Sequence, residues 1–499
     1  MALTEQPAVA NVPPPLEDYD LFGENRPLVE ALERWAPEAV PGATELGQRL
    51  GRSDVLELGT LANEHPPVLR EDGELEFHPA WHELLRIGRE AGLTGLAWDG
   101  TPGGHVVRAA VFMTLSQVEA GVGCPLSMTH AAVPSLRTTP SLAAEWEPRL
   151  LSRSVANGAL CGMAMTERQG GSDVRANETV AARLGEREAT LHGHKWFCSA
   201  PMSDAFLVLA QAKDGLSCYL VPRVLPDGTR NEIRIQRLKD KLGNRSNASA
   251  EIELHGAQAH LVGEEGRGIQ TIIEMVNQTR IDCVLGSAAL MRRAVAEATH
   301  HCAHRWAFGR RLIEQPLMQN VLADLCVESE AATLVAIRLA RACDEGETAF
   351  LRLATPIAKY WICKLTPGVV AEALECIGGN GYTSDTVMPR LYRESPLNSI
   401  WEGPGNVQCL DTLRAIRRSP ESLEAFLAEV DDEPTVEPTE ANARRFVEQL
   451  AQSLQRSLLR RYGDPAVAEA FDSRSGRGYG TLISLVDAEA IIERHRPQL

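Results

Sequence analysis

The sequence predicts a mainly helical α+β protein in four parts. These are an N-terminal helical domain (residues 1–155), a small central antiparallel β-domain (156–262), a C-terminal helical bundle (263–418) and an additional C-terminal helical and linker segment (419–499). Three observations predict it. Apolar residues recur at helical spacing up to about residue 155, the period then shortens to two with turn residues between runs, and long helical periods resume at Ile269.

In the first part, Pro27–Trp35 has helical spacing, and Phe77-His78-Pro79 opens a second helix with proline in its first turn. Val106–Ala120 carries the broad apolar stripe of a buried helix. In the β-domain, 179–184 and 189–191 flank a Gly185-Glu186 turn, and 205–210 and 216–221 flank Lys213-Asp214-Gly215. Residues 233–235 and 250–254 alternate in the same way, and the polar stretch Lys239–Ser249 reads as a long loop. Gly263–Gly268 reads as a helix cap, since it lacks the Lys-Ser/Thr pair of a phosphate loop. Segments 269–303, 316–343 and 348–376 then predict long bundle helices. The Pro- and acid-rich stretch 419–440 reads as a linker, 441–461 as an amphipathic helix, and 472–480 as a flexible loop.

Composition narrows the function classes. With 44% hydrophobic and 23% charged residues the chain reads as an ordinary globular protein. No apolar run reaches the ~18–20 residues that span a bilayer. The Pro-rich, acidic Met1–Asp20 has no secretory pattern, so no membrane association and a cytoplasmic location are expected. Eleven cysteines without a Cys-x-x-Cys pair fit buried free thiols in a reducing compartment. A net charge of −17 excludes coating nucleic acid by overall field and leaves room for a local basic patch. His78 with His82, and His300, His301, Cys302 and His304, are the metal-ligand candidates; neither set has a completing partner, and no metal is assigned.

The chemistry centres on Ser399-Ile400-Trp401-Glu402-Gly403-Pro404-Gly405-Asn406. One carboxylate sits on a bend forced by Gly-Pro-Gly, which suits either a surface loop or a positioned base. Two further Gly-rich segments accompany it: Glu375-Cys376-Ile377-Gly378-Gly379-Asn380-Gly381-Tyr382, and Thr166-Glu167-Arg168-Gln169-Gly170-Gly171-Ser172-Asp173.

With its helical, β, helical order and five ordered motifs, the chain resembles the acyl-CoA dehydrogenase flavoprotein family from about residue 80 to 415. Met163–Asp173 and Lys195-Trp196-Phe197-Cys198-Ser199 look like the family's two β-domain flavin segments. Arg305-x-x-Phe308-Gly309 and Gly378–Tyr382 look like the segments that reach the flavin pyrophosphate and adenine across a dimer interface, and Ile400–Gly403 like the one carrying the base. Within the family, Trp81–Leu85, Leu238–Ser249, Thr279–Cys283, Pro389–Glu394 and Asn398–Gly403 are similar to AidB-type alkylation-response flavoproteins.

The resemblance implies an acyl-CoA dehydrogenase-like fold and an FAD-containing homotetramer, a dimer of dimers, with an acyl-CoA or other small-molecule substrate. It also implies non-specific duplex-DNA binding in the alkylation response, hence a nucleoid association, beside weak or undefined α,β-dehydrogenation. A working acyl-CoA dehydrogenase of fatty-acid or branched-chain amino-acid catabolism is the alternative. Glu402 is implied as base, since Thr279-Arg280 supplies no carboxylate at the family's other base position. Cofactor contacts implied are Met163, Thr166, Ser172, Phe197, Cys198, Ser199, Arg305, Phe308, Glu375, Gly378, Gly379, Trp401, Gly403 and Asn406. Glu375 stands where relatives tend to have Gln. Arg280 suits either a substrate anchor or an interhelical salt bridge. Met128, Thr129 and Trp98 are candidates for the pocket lining. In the last segment nine Lys/Arg stand against fifteen Asp/Glu, yet Arg444, Arg445, Arg456, Arg460 and Arg461 fall at helical spacing. They suit either a phosphate-contacting face or a solvated one.

Overall fold

The computed structural model describes residues 11–432, 434–474 and 478–498. The first domain holds α1 (Arg26–Trp35), α2 (Val40–Leu50), α3 (Ser53–Glu64), the hairpin β1 (Val68–Leu69) with β2 (Leu75–Glu76), α4 (Pro79–Glu90), α5 (Gly104–Val118), α6 (Gly123–Arg137) and α7 (Pro140–Leu150). Helix α4 starts where Pro79 predicts it, and His78 caps it by accepting from Ala80 N at 3.2 Å.

The central domain contains β3 (Cys161–Ala164), β4 (Val180–Arg183), β5 (Glu188–Ser199), β6 (Ala205–Ala212), β7 (Gly215–Pro222), β8 (Ile233–Leu238) and β9 (Ser249–Val262). Pairings run round the ring β6–β4–β5–β9–β7–β6, so the sheet closes on itself as a small barrel, with β3 and β8 added at its margins. The sheet is not all antiparallel as the turns predict: β3 pairs β6 in parallel, Cys161 opposite Ala205. Alternation within a strand reports which face is buried and carries no information on the direction of its partner.

The bundle is built on α8 (Gly268–His304), α9 (Pro316–Asp344) and α10 (Thr348–Ile377), with the short hairpin β10 (Trp306–Ala307) and β11 (Arg310–Arg311) between the first two. Helices α11 (Met388–Glu394) and α12 (Gly405–Arg418) follow and flank the Glu402 turn. Then come α13 (Pro420–Leu427), α14 (Ala443–Tyr462), α15 (Pro465–Asp472) and α16 (Ala488–His495).

The last segment corrects two expectations. Part of the expected linker is helix α13, whose Phe426 is wholly buried and stacks on Phe350 of α10. The 472–480 loop is tied down by Arg474, paired with Asp324 and Glu328 of α9; its residues 475–477 lie outside the described residues. Apolar residues of α14 and α16 join the same core as α1, α5 and α8–α10. A second cluster of Cys124, Met128, Trp146, Met163, Met275 and Val276 fills the junction of first domain, barrel and α8. Among the described residues no helix is long and apolar enough to cross a membrane, and no group of three His, Cys, Asp or Glu is placed to hold a metal ion.

Candidate active site

Glu402 adopts a left-handed backbone, φ 57°. A non-glycine residue keeps that conformation only where its surroundings hold it. Here three side chains grip three successive carbonyls. Lys359 of α10 donates to Trp401 O and Gly403 O, 2.6 Å each. Arg280 of α8 reaches Glu402 O through Nε at 3.1 Å, and Gln408 of α12 reaches Glu402 O at 3.0 Å and Gly403 O at 2.8 Å. Gly403 has φ 99°, and a Cβ there would meet Gln408 Nε2 at 2.8 Å, so the turn requires glycine. The Trp401 indole donates to Asn398 Oδ1 at 2.9 Å, and its ring packs against the junction cluster.

Burial pushes the Glu402 carboxyl pKa up, against the Thr279 hydroxyl and the charges of Lys359 and Arg280, which favour the anion. Its Oε2 is buried with no hydrogen-bond partner among the described residues. A buried acid of raised pKa with one oxygen uncommitted can take a proton from a neighbouring carbon acid. Arg280 takes the second of its two sequence readings. Its Nη1 pairs with Asp411 Oδ2 at 2.9 Å, and Asp411 also receives Arg352. Through Nε and Nη1 the guanidinium holds the turn and the interhelical salt bridge.

The two Gly- and aromatic-bearing segments of the barrel lie side by side. The register of β5 against β9 breaks between Lys195 and Cys198, and the bulge lets Trp196 N donate to Thr166 O at 2.8 Å. Beneath them Lys195 Nζ and Glu167 Oε1 form a wholly buried ion pair at 2.6 Å. Glu167 also accepts from Thr179 Oγ1 at 2.6 Å and Glu178 N at 2.6 Å. Burial acts to raise the Glu167 pKa, but Lys195 and these donors hold it at about 2.

Above the pair, Thr166 and Ser199 are partly exposed, Ser172 is exposed, and Phe197 shows half of its surface. Met163 belongs to the junction cluster against which Trp401 packs, so the first segment and the Glu402 turn share one core. Cys198 is a correction: it points into the barrel interior and is fully buried, because strand alternation sends it opposite to Phe197 and Ser199. Only its backbone faces the segment.

The remaining cofactor candidates lie on the outer surface of the chain. Arg305 follows α8 and donates to Asn11 O, while Phe308 is almost fully exposed with φ 52°. Glu375, Gly378 and Gly379 are exposed, and a Cβ on either glycine would have no neighbour within 4 Å. Asn406 is exposed and its Oδ1 accepts from Arg444 of α14 at 2.8 Å. Of the lining candidates, Thr129 Oγ1 donates to Pro125 O and accepts from Cys161 N, Trp98 Nε1 donates to His130 O, and Met128 sits in the junction cluster.

The arginine face of α14 is also corrected. Arg456 pairs with Asp432 and Asp472 at 2.9 and 2.7 Å, and Arg460 with Asp472 at 2.8 Å. Arg461 lies 3.5 Å from Glu429 and Arg444 is bonded to Asn406. The acidic stretch before α14 folds back onto the helix, so most of the stripe is neutralised within the chain. Lys359, Gln408, Asp411 and the Glu167–Lys195 pair do not stand out in the sequence. A lone lysine in the apolar run Ala358-Lys359-Tyr360-Trp361-Ile362 is the one signal that could have found the first.

Known protein families match most of residues 11–416. The adaptive response protein AidB N-terminal domain matches residues 11–157, the acyl-CoA dehydrogenase middle domain 162–257, and the acyl-CoA dehydrogenase C-terminal domain 266–416. The chain is 48% identical over 437 residues to the putative acyl-CoA dehydrogenase AidB of Escherichia coli, covering 82% of this chain and 80% of that protein. It is 33% identical over 444 residues to acyl-CoA dehydrogenase family member 11 of Caenorhabditis elegans, covering 83% and 72%. The solved C. elegans ACDH-11 in complex with C11-CoA superposes with a TM-score of 0.85 at 26% identity, covering 99% of this chain and 93% of that one. An acyl-CoA dehydrogenase from Bacillus anthracis complexed with FAD shares the fold alone, with a TM-score of 0.70 at 18% identity over 93% and 87%. A β-barrel bearing two paired segments, a pinned carboxylate turn on the bundle and these matches over their full extent make the chain a member of the acyl-CoA dehydrogenase family, in its AidB branch.

Proposed function

We propose that this protein is an FAD-dependent oxidoreductase that dehydrogenates an acyl-CoA thioester between its α- and β-carbons, with Glu402 as the base. The observation that carries the reading is the Glu402 turn itself: a carboxyl with a buried, unpartnered oxygen on a left-handed residue, in a turn whose carbonyls at Trp401, Glu402 and Gly403 are all held. The residues present fit a flavin. Thr166 and Ser199 offer hydroxyls, Phe197 offers an exposed ring face, and Gly171 packs so close to Thr166 that a Cβ would lie 2.5 Å from its Oγ1. Bound FAD would accept the hydride from the β-carbon. Glu402 takes the α-proton, and burial raises its pKa, the direction that makes it a stronger base. The barrel segments orient the ring, and Trp401, packed on the junction cluster, fixes the turn beside it.

On the same reading the assembly is a dimer of dimers in which half-buried Arg305 and exposed Phe308, Gly378 and Gly379 meet the partner's cofactor. Duplex-DNA binding in the alkylation response is the second role implied by resemblance. The fold gives it less support, because Arg456, Arg460 and Arg461 are paired and Arg445 alone of the five has no hydrogen bond or ion pair among the described residues.

Anaerobic mixing of the flavin-loaded protein with a panel of acyl-CoA thioesters tests the proposal. A cognate thioester should bleach the oxidised flavin, and Glu402→Gln should slow bleaching by about 10²–10⁴-fold with flavin content unchanged. An oxidised spectrum untouched by the whole panel refutes it.

A further inference from the structure

Lys359 is 1% exposed and forms no ion pair among the described residues. A buried ammonium without a counter-ion is expensive, so its surroundings should show what it serves. Its two hydrogen-bond acceptors are the carbonyls on either side of Glu402. Its positive charge acts on the Glu402 carboxyl and on the thiols of Cys283 and Cys363. In a trans peptide the N–H points opposite to the C=O. Gripping Trp401 O therefore aims the Glu402 N–H away from α10, and that N–H has no protein acceptor among the described residues.

We infer that Lys359 is a positioning residue for the reaction, pinning the peptide that enters Glu402 and the one that leaves Gly403, and setting a fixed positive charge beside the Glu402 carboxyl. The inference deepens the dehydrogenase reading and rests on it for its rate consequences. The groups facing Glu402 are Thr279, Arg280 and Cys283 of α8, Lys359 of α10 and Cys124 of α6. Arg280 pairs with Asp411, a carboxylate it shares with Arg352, and the thiols are pushed up by burial and stay neutral. Of the two cations facing Glu402, Lys359 is the one with no acidic side chain paired to it among the described residues. Two effects follow from one ammonium. Its hydrogen bonds hold an otherwise strained turn in one orientation, and its field offsets part of the burial that would keep the carboxyl protonated.

The test compares Lys359→Met, which keeps the aliphatic length and removes charge and donors, with Lys359→Gln, which removes charge and keeps a donor. Glutamate labelled at the δ-carbon with ¹³C reports the Glu402 carboxyl directly, assigned by the signal lost in Glu402→Gln. This readout needs neither substrate nor turnover. In both variants the titration midpoint should move up by roughly one unit or more. Flavin bleaching by the cognate thioester should slow by about 10²-fold in Lys359→Met and by less in Lys359→Gln, with flavin content retained. If Lys359→Met does not fold, Lys359→Gln alone decides. A folded variant whose Glu402 midpoint stays at the wild-type value overturns the inference. A wild type that no thioester bleaches overturns the dehydrogenase reading instead, and the midpoint comparison still decides whether Lys359 sets the charge state of Glu402.

Discussion

Replacing Lys195 by methionine removes one half of an ion pair that no water reaches. Both side chains are fully buried, and the 2.6 Å contact is reinforced by Lys195 Nζ on Leu209 O at 2.8 Å and by three protein donors on Glu167 from Thr179 and Glu178. Methionine fills most of the lysine volume, so the loss is electrostatic. A buried carboxylate stripped of its partner costs about 3–5 kcal/mol. With an unfolding entropy of about 2.1 cal/mol/K per residue, that lowers the melting temperature by roughly 3–5 °C if the whole chain unfolds as a unit. The damage is also local, because Glu167 anchors the loop that carries Thr166 and Ser172. Flavin retention after gel filtration should fall along with the melting temperature. The double variant Glu167→Gln/Lys195→Met, with no buried charge left, should recover part of the loss. Differential scanning calorimetry and the ratio of flavin to protein absorbance give both numbers. A Lys195→Met protein that melts with the wild type and keeps its flavin, or a double variant at the sum of the single losses, would refute the reasoning.

Two further outcomes are expected. Stability should fall at both ends of the pH range, for opposite reasons. Burial acts to raise the Glu330 pKa, but His495 and Arg494 hold it at about 2, below its unfolded value. Its contribution is present above about pH 4.3 and is lost as pH falls toward 2. Burial and then Glu119 raise Glu394 to about 7, so its contribution is full below about pH 4.3 and is lost as pH rises through 7. Melting curves from pH 3 to 9 should show Glu330→Gln flattening the acid limb and Glu394→Gln the alkaline one; unchanged limbs would contradict the assignments. For DNA, wild type should give weak, salt-sensitive retardation of random duplex at about 50 mM salt. The triple variant Asp431→Asn/Asp432→Asn/Asp472→Asn, which unpairs Arg456 and Arg460, should bind several-fold more tightly. No gain would show that the α14 face does not contact phosphate.

The sequence by itself determined the order of the fold and pointed to the turn proposed to carry its chemistry. Helical spacing located α1, α4, α5 and α8–α10, and paired turn residues located the β4–β5 and β6–β7 hairpins, because periodicity and turn chemistry are local properties. The Gly-Pro-Gly bend singled out Glu402 for the same reason. What surrounds Glu402 was decided only in three dimensions. Lys359, Arg280 and Gln408 come from three helices, and no spacing in the chain announces that they converge on three consecutive carbonyls. Closure of the barrel and the parallel β3–β6 pairing were likewise unreadable, since a strand's pattern describes its faces and not its neighbours. The arginines of α14 make the same point from the other side. Their spacing offered a basic face, and long-range folding of Asp431, Asp432 and Asp472 onto it removed most of that charge. Composition counts charges; only packing decides which of them remain unpaired.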